Sequence, residues 1–419
     1  MKKRMLAGAI SIALILSALL SFSGCAGTTA QAADLMAGVK ANAVDANVDL
    51  TGDDAGAVGG FAVNLFQNSV VPNENILVSP LSVLCALAMT ANGAKGETLA
   101  QMENVFGLSV PELNAYLHAY LKYLPSGDKY KVSVADSIWF KDDESLTVEP
   151  GFLQTNADYY DASIYKATFD DATLKDINAW VSDNTDGMIE NILDKIPDMA
   201  VMFLINALAL DAEWENIYRE DQVRDGTFTT ESGETRDSKM MYNTESRYLD
   251  DGSATGFLKY YAGRKYAFAA LLPNEGVSIA DYIASLTGDG LMSTLSNAQD
   301  VEVKAAIPKF ESEYAVEMGD ILKAMGMTDA FDMGLADFTG LGKSEDGNIF
   351  ISKVIHKTYI AVDEKGTKAG AATAVVMEAG GAAPSDEIKT VYLDQPFIFM
   401  LIDCETNLPI FIGTVMDIG

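Results

Sequence analysis

The stretch Asn75-Ile-Leu-Val-Ser79-Pro80-Leu-Ser82-Val83 contains a helix start signal followed by an apolar run. Serine caps free backbone amides at a helix N-terminus, and proline is tolerated at the first helical position. The apolar residues that follow Pro80 predict a helix over residues 80–92. Cys85 lies within this apolar pattern, so we expect a small buried side chain rather than a reactive thiol.

Outward from this helix, the chain mixes helical and strand-like patterns. Helical periodicity is found at 58–70, 96–106, 110–123, 150–158, 173–186, 189–194, 278–285, 289–297 and 315–326. Strand-like runs are found at 133–140, 202–212, 257–261, 266–272, 300–308, 349–363, 390–394, 397–403 and 408–416. Long strands among helices predict an α+β fold with more than one sheet, in a single domain over residues 58–419.

The composition is that of a globular protein with a strongly acidic surface. Of the 419 residues 49% are hydrophobic, and the formal net charge is −31. Such a surface repels polyanions, so neither nucleic acid nor heparin is expected as a partner. Two histidines and three cysteines are too few for Cys/His zinc clusters or a multi-disulfide scaffold, and we expect no metal or cofactor. Cys404 lies at a strand end and, like Cys85, is expected to be a small buried or partly buried side chain rather than a reactive thiol.

The N-terminus has the pattern of a secretory signal. Three basic residues at positions 2–4 precede an apolar run over residues 5–20, which is short for a membrane span of about 20 residues. We assign residues 1–24 to a signal peptide and expect an extracellular or cell-surface protein. Ser21-Phe22-Ser23-Gly24-Cys25 resembles a bacterial lipobox, although Phe22 replaces the usual Leu. Lipidation of Cys25 would then be the protein's only membrane contact, and an ordinary cleavage site is the alternative.

Residues 25–57 differ in composition from the rest of the chain. They are rich in Ala, Gly, Thr, Asp and Asn and have too little apolar mass for a core of their own. We therefore predict a flexible tether between the signal and the domain.

Several motifs occur in order along the domain. They are 75–83 with 88–98, Ile177-Asn178-Ala-Trp180, Asn206-Ala-Leu-Ala-Leu-Asp-Ala-Glu-Trp214, Pro308-Lys309-Phe310, Met325-Gly326-Met327 and Leu393-Asp394-Gln395-Pro396-Phe397. Together they resemble the serpin family from Phe61 to the C-terminus, with Gln395 in place of the more frequent His. The resemblance implies about nine helices around three β-sheets and an exposed reactive-centre loop at about 364–389.

The resemblance also implies mechanical roles for polar residues around the central sheet. It matches Ser79, Ser82, Asn206 and His356 to the family's shutter, and Trp214, Lys309 and Glu364 to its breach. His356 would then be structural, because a buried imidazole must find hydrogen-bond partners. The other histidine, His118, is expected to be a solvated helix residue. The chain has no Gly-x-Ser-x-Gly, His-Glu-x-x-His or Walker motif, so we do not expect an enzyme.

The stretch from Asp363 to Gly380 consists mostly of small residues and lacks proline, so a strand could form there. Over residues 367–378, a period of two puts both charged side chains, Lys368 and Glu378, on one face. The hinge residues of the family match Glu364, Gly366, Thr367, Ala369, Ala371 and Ala372. A segment of this kind fits one that is exposed at first and later enters a sheet.

The resemblance implies suicide inhibition of a serine or cysteine protease, foremost a serine protease, by a monomer, through an acyl-enzyme and insertion of the loop into the central sheet. The family's usual loop length places the scissile bond at Gly380–Gly381, with Met377, Glu378 and Ala379 as neighbouring candidates. Small residues there suit elastase-like or subtilisin-like proteases, whereas a trypsin-like pocket requires Arg or Lys. The alternative is a non-inhibitory serpin that acts as a cell-surface binding protein. The small hinge residues favour the inhibitor.

Overall fold

The computed structural model describes residues 32–45, 48–124, 126–197, 200–345, 347–367 and 388–419. Within these residues there are nine α-helices. They are α1 (Asp53–Ser69), α2 (Pro80–Ala91), α3 (Gly96–Phe106), α4 (Val110–Tyr123), α5 (Pro150–Tyr160), α6 (Asp171–Asn184), α7 (Ile279–Ser285), α8 (Gly288–Ser296) and α9 (Gly319–Ala324). None of the helices in this part of the chain has both the length and the apolar character needed to cross a bilayer.

The same residues form eighteen strands. They are β1 (Ala33–Asp34), β2 (Leu77–Val78), β3 (Tyr130–Lys141), β4 (Thr147–Val148), β5 (Ser163–Ala167), β6 (Met202–Glu213), β7 (Val223–Thr229), β8 (Thr235–Asp250), β9 (Ala254–Tyr260), β10 (Tyr266–Pro273), β11 (Gln299–Pro308), β12 (Phe310–Glu317), β13 (Gly342–Lys343), β14 (Lys353–Val362), β15 (Gly366–Thr367), β16 (Ile388–Tyr392), β17 (Phe397–Asp403) and β18 (Pro409–Val415). The predicted α+β class is confirmed.

The strands form two large sheets and one small sheet. The central sheet has seven strands in the order β1-β5-β3-β6-β15-β14-β12. A nine-stranded sheet has the order β16-β11-β8-β9-β10-β17-β18-β2, with β7 paired to β8, and β13 pairs with β4. Since β11 is followed almost at once by β12, the chain passes directly from one large sheet to the other.

Helix α2 begins as its sequence predicts. The Ser79 side chain accepts a hydrogen bond from the Ser82 amide, and Pro80 occupies the first turn. Every residue of the helix is buried, Cys85 included, because the helix packs against β3 and β6 of the central sheet and against β18 of the nine-stranded sheet. The polar N-terminus of α2 is thereby fixed beneath the middle of the central sheet.

The opposite face of the central sheet has a smaller core of its own. Ile177 and Val181 of α6 pack there with Trp139 of β3 and Phe203 of β6. Asp170 caps α6 by accepting hydrogen bonds from the amides of Ala172 and Thr173. Helix α6 therefore covers the outer face of the sheet, whereas α2 lies beneath its inner face.

The predicted tether was wrong for the residues between 32 and 57 that the structure describes. Strand β1 pairs with β5 at the edge of the central sheet, and the Leu35 amide donates to the Ile164 carbonyl at 2.9 Å. The Asn42 amide donates to Asp158 at 2.7 Å, and α1 already begins at Asp53. Composition did not reveal this docking. The segment is held by backbone hydrogen bonds and by a carboxylate acceptor, and neither kind of contact needs apolar side chains.

Two predicted helices also need correction. Residues 189–194 are not helical, although Ile189, Ile192 and Leu193 are buried in the core beneath α6. The helix predicted over 315–326 begins only at Gly319, because the preceding residues belong to β12 and pair with β14. In both places apolar spacing reflects burial without determining the backbone conformation.

Candidate functional site

The central sheet is open at one end between β6 and β14. Lower in the sheet these two strands pair directly and in parallel, from Lys353–Phe203 to Thr358–Leu208. At the upper end β15 lies between them and pairs antiparallel with both, Thr367 opposite Val362 and Ala212. Gly366 and Thr367, the two residues after the turn at 363–365, therefore already occupy the position of a further strand.

Glycine is required at the entrance of this gap. A Cβ atom on Gly366 would lie 2.1 Å from the Ala212 carbonyl oxygen of β6, which is a severe backbone clash. Thr367 follows and is 2% exposed, with its hydroxyl hydrogen-bonded to the Tyr261 hydroxyl. The sequence pattern placed Thr367 on the inward face, and its side chain lies there.

Above the gap, the turn that precedes β15 is held by three hydrogen bonds. The Trp214 indole donates to the Asp363 carbonyl at 2.8 Å, and the Trp214 amide donates to Lys365 at 2.8 Å. The Tyr218 amide donates to the Glu364 carbonyl at 2.9 Å. The segment that follows β6 therefore fixes the height at which β15 enters the sheet.

Lys309 and Glu364 close the same region as an ion pair with an N–O distance of 2.6 Å. The hydrogen bond from Lys309 holds the pKa of Glu364 below its ordinary value. Both side chains are 36% exposed, so solvent screens the pair and its contribution to stability is small. Together with Trp214, these are the breach residues that the resemblance placed here.

A buried lysine that the sequence analysis missed supports this region. Lys259 of β9 is 1% exposed and pairs with Glu245 at 2.9 Å. Its ammonium lies 4.3 Å from the centre of the Tyr218 ring and 5.3 Å from that of Trp214. The sequence did contain a signal for this burial, since Lys259 is the one charged residue in an otherwise apolar strand pattern. Charge and aromatic contacts together compensate for its burial.

The four predicted shutter residues meet beneath the point where β6 and β14 pair directly. The Ser79 amide donates to His356 Nε2 at 3.1 Å, so Nδ1 carries the proton and donates to Asn206 Oδ1. The Ser82 hydroxyl donates to the same Asn206 oxygen at 3.2 Å. Burial lowers the pKa of His356 to about 3, and both ring nitrogens are occupied. This imidazole cannot act as a catalytic base without breaking the cluster.

A fifth polar residue adjoins this cluster. Asp136 of β3 lies opposite Asn206 and accepts from the Ser82 hydroxyl at 3.3 Å. Sequence analysis did not assign it a role. Its position on β3 became meaningful only once the register with β6 placed it beside Asn206.

The expectation for His118 was wrong. It is 7% exposed, its Nδ1 donates to the Tyr159 carbonyl at 2.9 Å, and Lys122 donates to Nε2 at 2.8 Å. The polar helix pattern around it did not reveal that α5 packs over this side of α4. His118 is thus a buried hydrogen-bonded residue without a catalytic partner among these contacts.

Other predicted site residues lie outside the described part of the chain. These are the hinge residues Ala369, Ala371 and Ala372, the scissile-bond candidates Met377, Glu378, Ala379, Gly380 and Gly381, and the lipidation candidate Cys25.

Comparison with known proteins identifies the family. The serpin (serine protease inhibitor) family model matches residues 57–418. The chain is similar to the crystal structure of tengpin, a thermophilic serpin, in the native state, with a TM-score of 0.87 and 48% identity over 92% of this chain and 100% of that chain. It is 28% identical to leukocyte elastase inhibitor A of Mus musculus, over 85% of this chain and 97% of the relative. An uncharacterised serpin-like protein of Thermococcus kodakarensis is 29% identical over 86% of this chain and 85% of its own length.

The chain therefore belongs to the serpin family and has the serpin fold. Both the resemblance deduced from the sequence and the fold that it implied are confirmed. The family is one of protease inhibitors rather than enzymes, and its members include relatives named as elastase inhibitors.

Proposed function

We propose that this serpin inhibits serine proteases as a suicide substrate, by inserting its cleaved loop between β6 and β14. The observation that carries the proposal is β15, which already lies between these strands and pairs with both. A loop that served only as an exposed substrate or binding surface would not need a strand position prepared in the middle of a sheet.

The register of β15 supports continued insertion. If the pairing of Thr367 continues one residue at a time, Thr373 would lie between His356 and Asn206. The loop would then place its inward-facing hydroxyl at the polar cluster, and small or apolar residues elsewhere along that face. Insertion must first break the hydrogen bond between His356 and Asn206. The polar cluster would therefore set the rate at which the strand enters.

The mechanism follows from strand geometry. The protease would form an acyl-enzyme with the loop, and cleavage would free the loop's N-terminal part. Residues 367–379 would then span about 43 Å as a strand at about 3.3 Å per residue and carry the protease along the sheet. Catalytic geometry does not tolerate a displacement of about 1 Å, so the acyl-enzyme would persist. The native state would be metastable, protected by a kinetic barrier.

The proposed targets are elastase-like or subtilisin-like proteases. Small residues at 379–381 suit a shallow primary pocket, and no Arg or Lys occurs between Lys368 and Lys389. Met377 as the specificity residue would favour chymotrypsin-like or subtilisin-like enzymes, and Glu378 would favour a glutamate-specific protease. The relatives named as leukocyte elastase inhibitors agree with the first assignment.

Incubation of the full chain with neutrophil elastase, subtilisin, chymotrypsin and trypsin tests this proposal. We expect a complex that survives denaturing electrophoresis with an elastase-like enzyme and none with trypsin. Mass measurement should show a released C-terminal peptide that begins at Gly381 or within two residues of it. Cleavage at that site without a stable complex would support the non-inhibitory alternative, in which the loop is only a substrate.

For localisation, we propose export followed by attachment through a lipid on Cys25. The support is the basic, apolar and small-residue order of the first 25 residues. After expression in a bacterial host, wild-type protein should sediment with membranes and Cys25→Ala should be soluble. If both variants divide equally between the fractions, Cys25 is not lipidated and simple secretion remains.

A further inference from the structure

The Ser82 hydroxyl has one hydrogen and two acceptors at nearly equal distances. Asn206 Oδ1 lies 3.2 Å from Ser82 Oγ, and Asp136 Oδ1 lies 3.3 Å from it. A single O–H group cannot serve both acceptors fully at once. When one acceptor receives the hydrogen bond from Ser82, the hydrogen bond between α2 and the other acceptor is weakened or lost.

The choice matters because the two acceptors differ in position. Asn206 lies on β6, where its Oδ1 also accepts from His356 of β14. The hydrogen bond from Ser82 to Asn206 therefore ties α2 to the pair of strands that must separate. The bond from Ser82 to Asp136 ties α2 only to β3. In addition, the Asn206 side-chain amide nitrogen is buried and has no hydrogen-bond partner among the described residues.

Asp136 has no cationic partner in the described part of the chain, and the groups that face it are neutral. From α2 these are Ser82 and the Cys85 thiol, whose pKa burial raises well above its ordinary value. From β6 and β14 they are Asn206 and the neutral imidazole of His356. Tyr160 of α5 lies beyond Cys85, and its hydroxyl donates to Asn114. Burial raises the pKa of Asp136 well above its ordinary value, with the Ser82 hydrogen bond opposing this shift.

We propose that Asp136 is a positioning residue that sets, through Ser82, how readily the central sheet opens. When Asp136 is protonated, its O–H group donates a hydrogen bond to Ser82 Oγ, and the Ser82 hydroxyl donates its own hydrogen bond to Asn206. When Asp136 is ionised, its carboxylate accepts the hydrogen bond from the Ser82 hydroxyl. Asn206 Oδ1 then accepts a hydrogen bond only from His356. The inference rests on the proposed function, because it concerns the entry of a strand between β6 and β14.

The direction of the pH effect follows from linkage. The folded carboxyl binds its proton more tightly than an unfolded one, so its contribution to native stability is fully present below the unfolded pKa and is lost as the pH rises through the folded pKa. Opening of the sheet should therefore become easier as the pH increases. Loss of one buried hydrogen bond corresponds to an acceleration of about tenfold.

Annealing of a synthetic peptide with the sequence of residues 368–379, which would enter below the Thr367 already in the sheet, measures this opening without any protease. The rate at which the labelled peptide enters the full chain would be followed from pH 4 upward, over the whole range in which the protein stays folded. The wild-type rate should increase by about tenfold as the pH rises through the folded pKa of Asp136. Asp136→Asn should anneal slowly at every pH, because its amide donates to Ser82 as the protonated acid does.

Ser82→Ala separates this mechanism from general destabilisation. Without the shared hydrogen, annealing should be fast and independent of pH, and adding Asp136→Asn should change nothing further. An Asp136→Asn variant that keeps the wild-type pH profile would overturn the proposal, as would a flat wild-type profile. So would a wild-type sheet that admits no peptide at any pH. Normal annealing combined with failure to trap any protease would count against the proposed function alone.

Discussion

At the scale of the residue, Thr367 decides whether a strand can begin in the gap. Its side chain is buried between β6 and β14, and its hydroxyl bonds that of Tyr261, which stacks on Trp214 with ring centres 4.4 Å apart. One small side chain thus connects the start of the loop to the aromatic residues above the gap. A larger or charged residue has no space and no partner there.

Thr367→Arg should convert the inhibitor into a substrate. Burying an unpaired guanidinium costs several kcal/mol, and each added 1.4 kcal/mol or so of barrier slows insertion about tenfold. The loop should be cut at the same bond at a similar rate, but active protease should be released. Lys368→Glu, which the period of two in the sequence assigns to the outward face, is the matched control and should still inhibit. If Thr367→Arg traps protease with near-unit stoichiometry, insertion is not the mechanism.

At the scale of the element, β1 covers the edge strand β5 of the central sheet. Unpaired edges expose backbone donors and acceptors and promote association with other chains, so this short strand protects the sheet. Asp158 of α5 stabilises the segment that follows β1, since it accepts from both the amide and the side chain of Asn42. Gln154 adds a hydrogen bond to the Lys40 carbonyl at 2.9 Å.

This docking predicts resistance to trypsin at Lys40, the single basic residue between positions 26 and 57. In the wild type the Lys40–Ala41 bond should be cut slowly, and Asp158→Ala should be cut at least severalfold faster because Asn42 loses its acceptor. Thr155→Ala, on the same helix but without a bond to this segment, should behave like the wild type. Cleavage of wild type and Asp158→Ala at equal rates would restore the tether interpretation. N-terminal mass measurement over a time course distinguishes these results.

At the scale of the whole molecule, the proposed mechanism requires β6 and β14 to separate and admit one more full strand into the central sheet. Direct pairing of β6 and β14 extends over six residue pairs, and an inserted strand would form ladders with both. Each added hydrogen bond contributes about 1 kcal/mol net, so the inserted form should be much more stable than the native form. A kinetic barrier to loop insertion would then keep the protein in its native form.

Cleavage of the loop should therefore raise the thermal midpoint by more than about 10 °C. Scanning calorimetry of the chain before and after limited proteolysis within residues 368–387 measures this change. Cleaved Thr367→Arg should unfold near the temperature of its uncleaved form, since its strand cannot enter. Equal midpoints for native and cleaved wild type would show that the cut loop does not insert.

The sequence by itself determined the features that depend on local chemistry. Ser79-Pro80 marked the start of α2, runs of strand-forming residues marked the longer strands, and the ordered motifs identified the family. Three of the shutter residues, Ser79, Ser82 and Asn206, lie within these motifs, and His356 was matched through the family resemblance. These signals lie within a few residues of one another or within a motif, so no knowledge of long-range packing is needed to read them.

Only the tertiary structure decided the features that depend on which surfaces meet. It docked residues 32–45 on the sheet, buried His118 and placed Lys259 among aromatic rings. It also brought Asp136 beside the Ser82 hydroxyl, 54 residues away in sequence. Composition and periodicity describe one segment at a time, whereas burial and hydrogen-bond partners are set by strand register and by contacts between distant segments. The physical reason is that the free energy of a polar group depends on what surrounds it after folding.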